Sequence, residues 1–124
     1  MRMDERLYMN TKYSLERPPA NTPAFYATDD GTDPYERTVF AHYFIGNSEW
    51  YVLEYNPLED KLFGWSEILP DMGELGYTSM EELENAVIYG QIVFGGETSL
   101  FPIRVTYDTH WQPRSLNECL KLRR

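Results

Sequence analysis

The sequence predicts an α+β fold: an antiparallel sheet of about five strands running as a meander, packed by one main helix and followed by a short C-terminal helix. Three observations predict it. Segments 38–45, 49–55 and 103–111 alternate along the two-residue period of a strand. Turn-forming residues separate these segments, notably Gly46-Asn47-Ser48, Asn56-Pro57 and Gly95-Gly96. One stretch beginning at Ser79 changes to helical spacing behind an N-cap signature.

In chain order, residues 1–22 form an N-terminal segment and residues 23–124 a single α+β domain. The first segment is polar, with scattered Leu7, Tyr8, Met9 and Leu15, suited to a short helix or to lying against the body. Pro18, Pro19 and Pro23 break any helix. Phe25-Tyr26-Ala27-Thr28 reads as a short strand, and 29–34 as an exposed loop. Residues 38–45 place Val39, Ala41, Tyr43 and Ile45 on one face and Phe40, His42 and Phe44 on the other. The returning strand, 49–55, carries Trp50 and Val52 against Tyr51, Leu53 and Tyr55. A third strand covers 62–68, where Gly64 marks a bulge or a close backbone neighbour.

The central stretch is Glu74-Leu75-Gly76-Tyr77-Thr78-Ser79-Met80-Glu81-Glu82-Leu83-Glu84, read as a turn and then a capped helix start. Ser79 and Glu82 have capping-box spacing, and Glu81 and Glu82 fall in the first turn, where the helix dipole favours anions. Met80, Leu83 and Val87 form an apolar stripe, and Gly90 supplies a stop, so the helix is expected over 80–89. Gly76 predicts a positive φ or a tight approach before the helix. Residues 91–94 follow as a short strand before the Gly95-Gly96 turn. Pro102 opens the last strand or lies on an edge. Ser115 and Glu118 repeat the capping-box spacing at the C-terminal helix.

A chain of 124 residues is one domain with enough surface to bury a core without staples. Its single cysteine, Cys119, has no internal disulfide partner and reads as a packing residue of the last helix. No apolar leader and no stretch of membrane-spanning length is present, so a cytoplasmic protein is expected. The net charge is −9, and residues 62–103 contain seven acids (Glu67, Asp71, Glu74, Glu81, Glu82, Glu84 and Glu97) and no Lys or Arg. Such a field disfavours phosphate backbones and suits either solubility or a basic protein partner.

Motifs for chemistry are few. No phosphate-binding glycine loop or nucleophile elbow occurs, and no cofactor is implied. His42 and His110 are the only imidazoles; with Asp108 they form a weak metal-ligand set that depends on their strands pairing. Paired carboxylates for glycoside cleavage cannot be singled out in an acidic sheet. Trp50, Trp65 and Trp111 are either core or the lining of an aromatic cleft.

Several pieces, in order, resemble an uncharacterised domain-of-unknown-function family of bacterial, plasmid and phage proteins. They are Phe25-Tyr26-Ala27-Thr28, Glu49-Trp50-Tyr51-Val52-Leu53-Glu54, Leu62-Phe63-Gly64, the run from Glu74 to Glu84, Phe101-Pro102-Ile103-Arg104, and Pro113-Arg114-Ser115-Leu116-Asn117-Glu118. Against that pattern residues 92–99 are an insertion. The resemblance implies a mobile-element setting, with counter-defence or element maintenance as functions.

The expectation is therefore a non-catalytic acidic protein that engages a basic host or element protein, such as a nucleic-acid-handling factor. One alternative is a small-molecule or nucleotide binder, or enzyme, with an aromatic cleft at the helix N-terminus; another is an assembly component. The candidate binding residues are Glu74, Tyr77, Glu81, Glu84, Trp50 and Trp65.

Overall fold

The computed structural model describes residues 13–122. The expected N-terminal residues Leu7, Tyr8 and Met9, and the basic residues Arg2, Arg6, Lys12, Arg123 and Arg124, lie outside the described residues.

Among the described residues, nine strands and two short α-helices follow a 3-10 turn at Pro34–Glu36. The strands are β1 (Thr38–Val39), β2 (Ala41–Ile45), β3 (Ser48–Asn56), β4 (Lys61–Glu67), β5 (Gly73–Ser79), β6 (Val87–Phe94), β7 (Glu97–Arg104), β8 (Thr106–Tyr107) and β9 (Arg114–Ser115). Helix α1 is Met80–Asn85 and α2 is Leu116–Leu122. The main sheet is antiparallel with five strands in the order β5-β4-β3-β2-β8. Two smaller ladders, β1-β9 and β6-β7, flank it.

The expected sheet size and meander are present, but neither helix among the described residues is a single main helix. Helix α1 has six residues and α2 has seven. Alpha1 begins as predicted: the Ser79 side chain accepts from the Glu82 N–H, and Glu82 reaches back to the Ser79 N–H. It ends early because Ala86 is already extended, at φ −68° and ψ 133°. The run Val87-Ile88-Tyr89 is β-branched and aromatic, and it gains more from the β7 ladder than from further helical turns. Gly90 is therefore not a helix stop. It lies within β6 opposite Phe101, whose ring fills the place a Cβ would take, 2.4 Å from the nearest ring carbon.

Three other expectations change. Residues 25–28 are turns, not a strand, and Tyr26 has φ 67°. The 73–79 stretch is strand β5, not a turn, and Gly76 is not among the positive-φ residues. The strand expected over 103–111 is divided: Arg104 ends β7, Thr106 and Tyr107 join the main sheet, and the chain turns after Asp108. Gly64 behaves as read. It lies opposite a register irregularity between Val52 and Glu54, and a Cβ there would stand 1.9 Å from the Tyr51 carbonyl oxygen.

Both faces of the main sheet are covered. On one, Ala41, Tyr43, Ile45, Trp50, Val52 and Leu62 pack with Met80 and Leu83 of α1, with Val105 and with Leu15. On the other, Val39, Tyr51 and Leu53 pack with Leu116 and Cys119 of α2. Leu15 is buried, and Arg17 binds Asp60 and Glu84, so residues 15–17 pack as part of this body. No helix among the described residues is long and apolar enough to cross a membrane.

Candidate functional site

A cleft lies between α1 and the β4–β5 edge of the sheet, with a volume of about 300 Å³. Its cause is local. Trp50, Ser66 and Glu74 are cross-strand neighbours on the α1 face, and the next row is Val52, Gly64 and Gly76. Gly76 carries no side chain there, and a Cβ built on it would meet nothing within 4 Å. The space is bounded by Trp50, Ile68, Leu83 and Ala86, with the Ser66 and Thr78 hydroxyls 3.4 Å apart. Glu74 and Glu82, both exposed, also line it; no Lys or Arg does.

Of the six binding residues read from the sequence, the cleft brings together Trp50, Glu74 and Tyr77. Tyr77 contributes as part of the β5 wall, because strand alternation turns its ring to the opposite face, 5.0 Å from Phe63 and 5.2 Å from Phe25. Glu81 is exposed on α1 and outside the lining. Glu84 is turned away: its Oε2 accepts from Arg17 Nη1 at 2.6 Å and from the Leu15 N–H at 2.9 Å. Trp65 is on the other face, edge-on to Tyr35, with its Nε1 donating to Glu67. The acidic run is thus only partly an outward field. Glu67 is buried, accepting from the Asp71 N–H, and Glu84 is matched by Arg17.

At the helix N-terminus that was expected to hold an anion, the Met80 and Glu82 N–H groups are already bonded within the chain. Met80 N–H donates to the Asp60 carbonyl at 2.9 Å and Glu82 N–H to Ser79 Oγ at 3.0 Å. A phosphate approaching the cleft would meet Glu74 and Glu82, so the geometry favours cations.

His42 and Asp108 do meet, without forming a metal centre. His42 Nδ1 is 3.0 Å from Asp108 Oδ2, and its Nε2 is 3.1 Å from Glu49 Oε1. The carboxylates thus engage opposite sides of the ring. The ring stacks on Tyr51 at 4.8 Å and 12°, with Trp111 5.1 Å away. His110 is exposed; its backbone N–H donates to Asp108 Oδ1. Among the described residues no group of three or more His, Cys, Asp or Glu is disposed to hold a metal ion. Burial pushes the Cys119 thiol pKa up, against a nucleophilic role.

Two polar constellations escaped the sequence reading. A three-residue turn over 46–48 would not set Glu49 beside His42. The loop is Gly46-Asn47, pairing Ile45 with Ser48 and putting Glu49 on the face of His42. The Gly-Asn pair typical of a two-residue hairpin loop is the local signal for this register. Glu54, 3% exposed, accepts from the Tyr26 and Thr28 N–H groups at 3.1 and 3.2 Å and from the Thr28 hydroxyl at 2.5 Å. No local signal marks that contact, which spans 26–28 residues of chain.

No family model, no curated protein and no solved structure matches the chain.

Proposed function

We propose that this chain is a non-catalytic binding protein whose cleft beneath α1 receives a basic side chain of a protein partner. One observation carries the reading: a cleft with Trp50, Ile68 and Leu83 along its walls is lined by Glu74 and Glu82 and by no cation. A Lys or Arg side chain fits this chemistry, its aliphatic stem on the apolar wall and its charged head between the carboxylates. The proposed setting for this binding is a mobile element, with counter-defence or maintenance as the purpose.

The test is capture from cell lysate on the immobilised full chain and on E74Q/E82Q. Gln at 82 keeps the capping interaction with Ser79 while removing the charge. The expected partner has a basic surface, is retained at low salt, is released at high salt, and binds the double variant at least tenfold more weakly. A partner held equally by both proteins overturns the reading. A thermal-shift screen separates small ligands from protein partners: organic amines that raise the melting temperature of the wild type alone would make the occupant a small cation.

A further inference from the structure

Strand β5 is an open edge of the main sheet. It pairs along its whole length with β4 and with no other strand among the described residues, whereas the opposite edge, β8, has two residues. The parity of its hydrogen bonds is fixed at one end. The Met80 N–H donates to the Asp60 carbonyl, and the Ser79 N–H turns away from β4 to Glu82. Lys61/Ser79 is therefore a non-hydrogen-bonded pair, and by alternation so are Phe63/Tyr77 and Trp65/Leu75. The N–H and C=O groups of Leu75 and Tyr77 thus point outward and face no other strand among the described residues. Proteins ordinarily blunt such an edge with lysine, proline or a bulge. Strand β5 has none of these, and its register with β4 is unbroken.

The two sides of this edge differ. On the α1 side the cleft opens over Gly76, between Glu74 and Glu82. On the other side Tyr77 is 53% exposed with its ring against Phe25, and Tyr26, 70% exposed, stands edge-on to the same Phe25. A strand added to β5 alternates its side chains between these two sides. In antiparallel pairing, the residues opposite Leu75 and Tyr77 exchange both backbone bonds with them. The residue between opposes Gly76 in a non-hydrogen-bonded pair, the arrangement in which side chains approach most closely. Gly76 leaves that position clear.

We infer, on the reading of the cleft as the seat of a basic side chain, that the partner presents that side chain on an extended peptide segment. The segment pairs antiparallel with β5 as a further strand and sets a Lys or Arg opposite Gly76 between two aromatic or β-branched residues. The outward backbone groups select an extended peptide over a helix or a small amine, because a strand matches their donors and acceptors at every second residue. Charge selects the central residue. Glu74 lies on the same face, diagonal to it and within reach of a long side chain, and Glu82 lines the cleft from α1. Charge also rejects a second copy of β5, which would bring another Glu74 and no cation in a chain of net charge −9. The flanking residues turn to the far side, where Tyr77 and Tyr26 offer ring surface for an aromatic or β-branched side chain.

The probe is a peptide blocked at both ends, Ser-Thr-Val-Lys-Tyr-Thr-Ser, titrated into the full chain and followed by calorimetry and amide hydrogen exchange. Exchange at Leu75 and Tyr77 is expected to slow, with Gly76, already bonded to Gly64, unchanged. N-methylation of the Val or the Tyr, whose N–H groups face β5, should weaken binding about tenfold, and N-methylation of the Lys, whose N–H faces away, by less than about twofold. Glu in place of the peptide Lys, or E74Q/E82Q in the chain, should also weaken it about tenfold. Altering the peptide leaves the folding of the chain untouched. No binding by this peptide or its Arg analogue overturns the proposal, as does binding indifferent to N-methylation at Val and Tyr. If that indifferent binding still needs Glu74 and Glu82, the strand pairing alone falls and the cleft keeps its basic side chain. If N-methylation matters and E74Q/E82Q does not, the reading of the cleft falls with it. Leu75 and Tyr77 amides protected without peptide also overturn the proposal; protection that grows with chain concentration would make a second copy the occupant.

Discussion

Arg17 grips Asp60 with two parallel hydrogen bonds, Nε to Oδ1 at 3.1 Å and Nη2 to Oδ2 at 2.7 Å. Its remaining nitrogen, Nη1, binds Glu84 and the Leu15 carbonyl, so one guanidinium ties the N-terminal segment to the β3–β4 turn and to α1. Arg17 holds the Glu84 carboxyl below its ordinary pKa. At Asp60 burial acts upward, but hydrogen bonds from Arg17 and Tyr55 outweigh it and the pKa is lowered. With folded pKa values below the unfolded ones, the unfolded chain takes up protons first. The stabilisation is therefore complete above the unfolded values, about 3.9 and 4.3, and is lost as pH falls through the folded ones. Because these groups are partly exposed, R17A is expected to cost only about 1–2 kcal/mol near neutrality. The difference from wild type should shrink below about pH 4, as measured by urea unfolding across pH.

Glu54 fixes a backbone that would not hold its shape unaided, since Tyr26 sits at φ 67°. Replacement by Ala leaves the Tyr26 and Thr28 N–H groups without their acceptor. E54A should destabilise by about 2–3 kcal/mol, and E54Q, with one acceptor oxygen left, by less. Hydrogen exchange at Tyr26 and Thr28 should accelerate in E54A ahead of global unfolding.

Gly64 and Gly76 face each other across β4 and β5 but respond oppositely to a methyl group. G64A drives a Cβ into the Tyr51 backbone and should cost about 3 kcal/mol. G76A meets nothing, so its stability should lie within about 0.5 kcal/mol of wild type. Its methyl group projects into the cleft, and partner binding should weaken with the melting temperature unchanged. Thermal melts and the capture assay read the two effects separately.

His42 clasps β2 to β3 and to the segment after β8 through Glu49 and Asp108. H42F keeps a ring against Tyr51 and Trp111 but presents carbon to both carboxylates. A loss of about 2–3 kcal/mol in chemical denaturation is expected. Added zinc or manganese should not change the wild-type melting temperature; a rise of several degrees, absent in H42F, would show that His42 can move into a metal site.

Much of the fold was legible in the sequence because its signals are local. Ser79 and Glu82 act across three residues, Gly95-Gly96 within one turn, and the alternation of 38–45 and 49–55 within each strand. Of the ten residues that line the cleft, three are among those named from the sequence: Glu74 and Tyr77, which adjoin the capped helix, and Trp50, which follows from strand periodicity. Trp65 was misplaced because alternation gives the residues that share a strand face but not the face on which a cleft opens.

The sequence by itself determined the strand segments, the capped start of α1, the tight turn between β6 and β7 and the acidity of 62–103. Only the tertiary structure decided where α1 stops, that residues 25–28 turn, that Gly90 lies under Phe101, and which carboxylates face outward. The physical reason is the range of the interactions. Caps, turns and side-chain alternation are set by neighbours along the chain. The end of α1, the bond of Glu54 to Thr28 and the pairing of Glu84 with Arg17 depend on segments tens of residues away, whose arrival changes which local conformation is lower in free energy.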